Sequence, residues 1–437
     1  MLKKISVHQL KLGMYIEKIV GSWIASPFWQ KHILLERLED LQRIQASTIK
    51  EVWVDFSKSR PSAPTPQGSD AGHGDADAPD EDGDVEAEGD APETVVSAAT
   101  PAPAPAPRPA RAPLRSIAPV SMASELKHAS ALIKKSREAV HSMFTEARMG
   151  KAVTVDAALP LVEEISESVM RNAGAVIGLA RLKTADDYTY MHSVAVCALM
   201  IALGKQLELD DEQIRQAGLA GLLHDIGKMA VPAPILNKPG KLTDEEFNAV
   251  KQHPVKGHQM LLETPGMLEA ALDVCLHHHE KIDGSGYPEG LKGDQISLFA
   301  RMGAICDVYD AITSNRPYKQ GWCPAESLRR MAEWSKGHFD EHMFAAFIKC
   351  IGIYPVGTLV RLKSERLGVV VELPVGQSLI KPKVRIFYSA KARGYVRPEL
   401  IDLASPAVTD SIVAREDASA WGLQDIDRYW SGAIEFA

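Results

Sequence analysis

Histidine and aspartate residues able to bind a metal ion are concentrated in one part of the chain. Seven of the 14 histidines lie between positions 192 and 279. His224 is followed directly by Asp225, and His278 by His279, and each pair ends an apolar segment. Imidazole and carboxylate groups are costly to bury without partners, and both are good ligands for first-row divalent ions. We therefore predict a metal centre, and because the set has no cysteine it is unlike a structural zinc–thiolate site.

Two charged residues beyond His224 extend this candidate site. Lys228 follows Asp225 by one helical turn, and Gly227 between them permits close approach of the backbone. A lysine beside a carboxylate–metal site suits an anionic substrate such as a phosphate, and the alternative is an ordinary salt bridge. Asp307 lies inside an otherwise apolar helical segment. A buried carboxylate there needs a partner, and a metal ion is a natural one.

Two segments rich in turn-forming residues complete the candidate chemistry. Residues 283–288 read Asp-Gly-Ser-Gly-Tyr-Pro, a loop in which Gly286 and Pro288 fix the shape and Tyr287 presents a ring and a hydroxyl. Residues 316–319 read Arg-Pro-Tyr-Lys, which by itself indicates a basic surface loop. Neither segment identifies a function on its own.

Helices predicted from apolar periodicity must position these residues. They are expected over residues 122–148, 156–180, 187–207, 211–223, 243–262, 267–279, 297–313 and 324–350. Short strands are predicted at residues 5–7 and 52–55, with a helix from Leu34 to Ile44 between them, and at residues 358–362, 368–371 and 384–387. The expected fold is mainly α, with a small α/β N-terminal domain and a small β C-terminal appendix.

Composition and charge exclude several classes of protein. The chain has 437 residues and a formal net charge of −8, which excludes a uniformly basic nucleic-acid coat, and no DNA partner is expected. The longest apolar run, Val194–Leu203, is too short to cross a bilayer, and no secretory signal is predicted. The five cysteines form no CxxC pair, so the cytoplasm is the expected compartment.

A segment of distinct composition divides the chain. Residues 70–93 contain 11 acidic residues and no Lys or Arg, and residues 58–120 contain 12 of the 27 prolines and no Phe, Trp or Tyr. Such a sequence cannot bury enough apolar surface to fold. We predict a disordered linker over residues 58–121, which is either a solvated spacer or an acidic docking segment. The predicted units around it are residues 1–57, 122–352, 353–405 and a tail over 406–437.

Taken in order, these motifs resemble those of the HD-GYP phosphodiesterases, a family within the HD-domain metal-dependent phosphohydrolases. The similarity covers residues 122–350. It rests on His192-Ser193, His224-Asp225-Ile226-Gly227-Lys228, Pro239-Gly240-Lys241-Leu242, His253-Pro254, His278-His279-Glu280, the loop from Asp283 to Pro288, Asp307-Val308-Tyr309-Asp310-Ala311 and Arg316-Pro317-Tyr318-Lys319. Residues 1–57 resemble an uncharacterised domain often fused upstream of such enzymes, through Leu12-Gly13-Met14-Tyr15 and Trp23.

The resemblance implies an HD-type helical bundle that hydrolyses the bacterial second messenger cyclic di-GMP to pGpG, GMP or both, using a hydroxide that two metal ions activate. The ions would be iron or manganese. The implied ligands are His192, His224 and Asp307 for one ion, His253, His278 and His279 for the other, and Asp225 for both. Asp225 and Lys228 are the implied catalytic residues, and the implied substrate contacts are Lys228, Gly286, Tyr287, Pro288, Arg316 and Lys319. His258 and His277 fall outside the ligand set.

One position in the sequence bears on the number of metal ions. Some relatives hold a third ion with a Glu one turn before the first histidine of the set, and this chain has Tyr188 at that place, four residues before His192. We therefore expect two ions, and pGpG as the main product.

Alternatives to this interpretation stay open at the level of sequence. The chain could be an adaptor that responds to cyclic dinucleotides and acts through protein partners, or an HD-type hydrolase of another nucleotide. Residues 1–57 are expected to contact signalling partners or to regulate the hydrolase. The predicted helix at 122–148 could pair with its copy in a homodimer, or it could pack on the core of its own chain.

Overall fold

The computed structural model describes residues 2–20, 33–35, 41, 45, 51–59, 117–182, 188–236, 238, 240–314, 321–373 and 379–432. Most of the predicted linker therefore lies outside the described residues, and so do Arg316 and Lys319. The nature of the linker and the roles of these two residues stay predictions.

Helices form most of the chain between residue 122 and residue 351, so the predicted mainly α class is confirmed. Their bounds are Met122–Arg148 (α1), Val155–Arg181 (α2), Tyr188–Gln206 (α3), Asp211–Leu223 (α4), Ala233–Leu236 (α5), Asp244–Lys251 (α6), His253–Leu262 (α7), Glu269–His277 (α8), Leu298–Thr313 (α9), Pro324–His338 (α10) and Glu341–Ile351 (α11). A last short helix is Arg428–Ser431 (α12), and 3-10 turns span Val7–Gln9, Ile226–Ala230, Gly293–Gln295 and Ser419–Trp421.

Two segments predicted as single helices are each divided in the structure. The predicted helix over 243–262 is α6 followed by α7, and that over 324–350 is α10 followed by α11. The first division lies at Gln252 and is explained by Pro254, which has no N–H to continue the helical hydrogen bonds. The second follows Gly337, whose φ of +92° is left-handed. Asp340 then caps α11 by accepting hydrogen bonds from two backbone N–H groups of its first turn.

Helix α3 lies at the centre of the helical region. Every residue from Val194 to Leu203 is buried, so the longest apolar run of the sequence is a core helix. Helix α4 crosses it closely, because a Cβ on Gly221 would lie 3.0 Å from the backbone of Cys197. This close crossing brings the ends of the two helices that carry the candidate ligands together. No helix among the described residues is long and apolar enough to cross a membrane.

The apolar side of α1 packs within its own chain. Leu126, Leu132, Ile133, Val140 and Phe144 are all buried in the main hydrophobic core. These contacts support the packing alternative for this helix. A homodimer stays an untested prediction.

The N-terminal residues form an antiparallel sheet with its own small core. Its strands are Leu2–Ser6 (β1), Tyr15–Val20 (β2), Ile33–Leu34 (β3) and Glu51–Asp55 (β4), in the order β1-β4-β2-β3. Val7, Leu10, Ile16, Val52 and Val54 are buried in this core. The predicted helix from Leu34 to Ile44 lies largely outside the described residues, and its first residue is wrong because Leu34 pairs with Tyr15 in the sheet.

A second antiparallel sheet follows the helices and shares their core. Its strands are Leu359–Leu362 (β5), Arg366–Glu372 (β6), Lys383–Ser389 (β7), Gly394–Asp402 (β8) and Ile412–Arg415 (β9), in the order β8-β7-β6-β5-β9. One face contributes Leu359, Val369 and Phe387 to the main core, whereas the other face has a separate core around Val370 and Ile386.

The segment predicted as a C-terminal tail is part of this structure. Strand β9 pairs with β5. Farther along, the buried ring of Trp430 packs so closely on α2 that a Cβ on Gly178 would lie 2.8 Å from it. The tail residues from 412 to 431 therefore pack against both the sheet and the helices.

Candidate metal centre

Three candidate histidines follow the last turn of a helix and are oriented by it. His224 follows α4, His253 follows α6 and His278 follows α8. Each donates a hydrogen bond from Nδ1 to a carbonyl oxygen of that last turn. The carbonyl of Val274 also accepts the backbone N–H of His278, since a carbonyl oxygen has two lone pairs. The acceptors are Gly221, Val250 and Val274, at 2.8, 2.8 and 2.9 Å. Since a carbonyl can only accept, Nδ1 carries the proton and Nε2 is left free to bind a metal ion.

For His253 the sequence itself explains why the acceptor lacks its regular helical donor. The carbonyl of Val250 would bond the N–H of residue 254 in a continuous helix, four positions on. Residue 254 is proline, which has no N–H. The imidazole of His253 donates to this carbonyl in place of the missing N–H, so the division between α6 and α7 and the orientation of this side chain have one cause.

The Nε2 atoms of the buried histidines converge. Nε2 of His192 lies 3.3 Å from that of His224, and Nε2 of His253 lies 3.3 Å from that of His278. Asp225 stands between the two pairs, with Oδ1 3.2 Å from Nε2 of His253. Oδ1 of Asp225 is buried and has no hydrogen-bond partner among the described residues. Lone pairs packed this closely require a proton or a metal ion between them, so these residues fit a metal centre.

Three overlapping groups of side chains could each hold an ion. Their ligand atoms lie within 4.8 Å of one another: His192, His224 and Asp307; His253, His278 and His279; and His224, Asp225 and His278. The first two groups have the same members as the two predicted trios. Asp225 contacts both, because its Oδ2 lies 3.4 Å from Nε2 of His192 and its Oδ1 faces His253. The structure thus brings all seven predicted ligands together, and their assignment to particular ions stays a prediction.

Opposite charges compensate one another in the site. Burial favours a raised pKa for Asp225, but the Lys228 ammonium and His224 outweigh it and hold that pKa well below its usual range. Burial favours a lowered pKa for His224, but the carboxylates of Asp225 and Asp307 raise it to about 10. Burial lowers the pKa of His279 to about 3. Metal binding therefore competes with a proton on His224 and is expected to release it.

Lys228 and the 283–288 loop lie at the edge of the histidine cluster. Nζ of Lys228 forms an ion pair with Oδ2 of Asp225, and the lysine is partly exposed. The ring of Tyr287 stacks on the imidazole of His279, with centroids 4.8 Å apart and planes 28° apart. Gly286 lies so close to Glu280 that an added Cβ would be 2.5 Å from the Cα of Glu280.

Pro288 follows Tyr287 through a cis peptide bond, and Pro288 is exposed.

Gly227 packs closely against the backbone, because an added Cβ would lie 1.9 Å from the carbonyl oxygen of His253. The predicted close approach of the backbone at Gly227 is confirmed.

Two histidines near the centre belong to none of the three groups. They are His258 and His277, and Nδ1 of His277 lies 2.7 Å from a carboxylate oxygen of Asp273.

Sequence reasoning missed two residues that hold the site in place. Asp310 accepts a hydrogen bond from Nδ1 of His192 at 2.6 Å, which leaves Nε2 of that ring facing Asp307. The carboxylate of Glu280 accepts hydrogen bonds from the backbone N–H groups of Glu289, Gly290 and Leu291, at 2.7, 3.0 and 3.1 Å. Asp310 could have been found by the argument used for Asp307, since both are carboxylates on one buried helix.

Comparison with known proteins agrees with this geometry. Residues 171–343 match the family model of the HD domain, and residues 2–158 match that of a domain of unknown function (DUF3391). A protein of Pseudomonas aeruginosa named a cyclic di-GMP phosphodiesterase is 52% identical over 433 residues, which cover 99% of this chain and 96% of that protein. This chain belongs to the HD-GYP family.

Two further relatives match less than half of this chain and less than half of their own length. A response regulator of Xanthomonas campestris named a cyclic di-GMP phosphodiesterase is 41% identical over 178 residues, which cover 39% of this chain and 47% of that protein. A Vibrio cholerae protein named a 3'3'-cGAMP-specific phosphodiesterase is 34% identical over 197 residues, covering 45% and 42% of the two chains. The upstream resemblance is confirmed by the DUF3391 match, which extends beyond the predicted boundary at residue 57 to residue 158.

Proposed function

We propose that this HD-GYP chain is a metal-dependent phosphodiesterase that hydrolyses cyclic di-GMP to pGpG, GMP or both. The observation that carries the proposal is the buried, unpartnered Oδ1 of Asp225 between two histidine groups. It is supported by 52% identity, over nearly the full length of both chains, to a protein named a cyclic di-GMP phosphodiesterase.

The residues fit two divalent ions, and we propose iron or manganese. His192, His224 and Asp307 would hold one ion and His253, His278 and His279 the other, with Asp225 shared between them. When bound, two such ions supply Lewis acidity toward the phosphate and lower the pKa of water. Tyr188 begins α3 four residues before His192. In place of the Glu used by three-ion relatives it favours two ions, with pGpG as the proposed main product.

The protein side chains provide charge and position around the scissile phosphate. Lys228 pairs with Asp225 and is only partly buried, so its ammonium can also meet a non-bridging phosphoryl oxygen at the edge of the site. Asp225 stays ionised because Lys228 and His224 hold its pKa low. Tyr287, stacked on His279, forms a wall of the pocket. We propose that Arg316 and Lys319 add further contacts to phosphate or guanine.

A second candidate substrate is a hybrid cyclic dinucleotide. A relative from Vibrio cholerae that is 34% identical over 197 residues is named a 3'3'-cGAMP-specific phosphodiesterase. The metal centre acts on the phosphodiester, which is common to both dinucleotides, so the base-contacting residues must decide between them. The two substrates are therefore compared in the same assay.

We also propose a cellular compartment for the protein and a role for its N-terminal sheet. We propose that the protein works in the cytoplasm, where its five cysteines, all free thiols, would stay reduced. The N-terminal sheet is proposed to contact signalling partners or to regulate the hydrolase.

The test uses the full chain purified without oxygen and loaded with iron(II) or manganese. Metal content is measured, cyclic di-GMP and 3'3'-cGAMP are supplied separately, and products are separated over time. Asp225→Ala should lose bound metal and turnover, whereas His258→Ala, a matched histidine outside the three groups, should keep both. If the metal-loaded wild type leaves cyclic di-GMP intact, the proposal is wrong. Hydrolysis of 3'3'-cGAMP alone would establish the second candidate.

A further inference from the structure

A lysine near the metal centre lies between two aromatic rings. Nζ of Lys251 is 5.2 Å from the ring centroid of Tyr287 and 5.0 Å from that of Phe247. Both distances are within the range of cation–π contacts. Tyr287 in turn stacks on His279. A continuous row of His279, Tyr287, Lys251 and Phe247 therefore leads from the metal centre to the surface.

Helix α6 holds the outer end of this row in a fixed position. Phe247 and Lys251 are four residues apart on that helix and lie on the same side of it. The last turn of this helix is tied to the metal centre, because Val250, directly before Lys251, accepts the hydrogen bond from His253. The two side chains are therefore presented by the same element that orients a candidate ligand.

The charge of Lys251 and the exposed ring of Phe247, the outer two members of the row, are not explained by packing within the described residues. No carboxylate among the described residues pairs with Lys251, although Glu246 on the same helix pairs with Lys238. Phe247 is 48% exposed. A single exposed aromatic ring is ordinary on a protein surface, but here it lies beside a cation without a carboxylate partner, and that cation contacts Tyr287 of the 283–288 loop.

We infer that Phe247 and Lys251 form a subsite for the half of the cyclic dinucleotide that is not being cut. This inference rests on the proposed function. Phe247 stacks on a guanine base, as aromatic side chains do in single-stranded nucleotide binding. Lys251 neutralises the phosphodiester that remains intact, while Lys228 and the metal centre act on the other one. The chemical class recognised is a purine base next to a phosphodiester anion.

The subsite is expected to affect substrate binding more than the chemical step. In Phe247→Ala and Lys251→Gln, KM for cyclic di-GMP should rise about tenfold while kcat stays within about twofold, since the lost contacts are equal in the bound and transition states. Phe247→Trp and Lys251→Arg keep the ring and the charge and should restore KM. Leu262→Ala and Lys134→Gln, an exposed leucine and an exposed lysine elsewhere, are the matched controls.

The outcomes distinguish this inference from the proposed function. Steady-state kinetics on metal-loaded full-length protein, with metal content measured for each variant, give both answers. If the wild type hydrolyses cyclic di-GMP and both variants keep its KM, the subsite is wrong and the proposed function stands. If kcat falls together with metal content, the two residues serve the metal centre and the subsite is also wrong. A wild type without turnover overturns both.

Discussion

Asp310 lies 2.6 Å from Nδ1 of His192, on the opposite side of the imidazole from Asp307, whose Oδ1 is 2.9 Å from Nε2. One helix, α9, thus supplies both the carboxylate that orients the ring and the carboxylate that shares its predicted ion. The imidazole of His192 is thus held on both sides by two carboxylates that lie one turn apart on the same helix.

The first prediction concerns this orienting bond. Asp310→Ala should lower metal affinity about 10- to 100-fold, the usual effect of removing the partner of a ligating histidine. Asp310→Asn keeps a hydrogen-bond acceptor and should lose less metal affinity than Asp310→Ala. Affinity is measured by titration against a chelator of known strength. Ser314→Ala is the control, because it removes a hydrogen bond to Asp310 but none to His192. Unchanged affinity in Asp310→Ala would show that the bond does not orient the ligand.

The second prediction concerns the close contact at Gly227. In Gly227→Ala the added Cβ would lie 1.9 Å from the carbonyl oxygen of His253, and backbone cannot rotate away as a side chain can. The free energy of unfolding should fall by about 1–3 kcal/mol or more. Denaturant titration measures it. Gly394→Ala meets nothing nearer than 3.9 Å and should have little effect, so equal stability of the two variants would contradict the prediction.

The third prediction concerns Glu280 and the loop that carries Tyr287. Glu280→Ala removes the acceptor of three backbone N–H groups at residues 289–291, each bond to the charged carboxylate being worth about 1.5–3 kcal/mol. Amide hydrogen exchange over residues 286–292 should be at least about tenfold faster. Glu263→Ala, at an exposed position, should leave that exchange unchanged. Slow exchange in Glu280→Ala would mean that other contacts hold the loop.

The fourth prediction concerns pH and the contact between α10 and β9. Hydrogen bonds from Arg329, together with Arg330 and Arg415, lower the pKa of Glu326 to about 2. In the unfolded chain a glutamate titrates near pH 4.3. The ionised carboxylate therefore stabilises the fold at pH values above about 4.3, and this contribution is lost as the pH falls toward 2.

Glu326→Gln should accordingly be less stable than wild type at pH 7 and approach it in stability between pH 4 and pH 2. Denaturant midpoints across that range give the comparison. Glu138→Gln, which alters an exposed carboxylate on α1, should differ in stability from wild type by a constant amount across this pH range. The prediction fails if Glu326→Gln does so too.

Much of the fold follows from local sequence, and the exceptions have physical reasons. Helix α4 has its predicted bounds because Asp210 caps its start and the apolar pattern ends at His224. Strand β8 was not predicted, since residues 395–400 are exposed in succession and give no alternation of buried and exposed positions. The division at Gln252 was missed because the apolar pattern continues across it.

The candidate ligands could be predicted because buried histidine and aspartate residues are rare without partners. Their partners were harder to find, since Asp310 and Glu280 are defined by which groups face them in three dimensions. Glu280 bonds amides nine to eleven residues away, a distance at which sequence periodicity carries no information. Arg316 and Lys319 lie outside the described residues, so their roles still depend on the family resemblance alone.

The core shared by the helices and the second sheet has a consequence for how this chain can be truncated. The second sheet is not an independent unit. It buries Leu359, Val369 and Phe387 together with the helices, and Trp430 packs on Gly178, so its removal would expose the helical core. Recombination at the end of α11 would leave apolar surface on both pieces. In this chain the helices and the second sheet are therefore expected to unfold together as one cooperative unit.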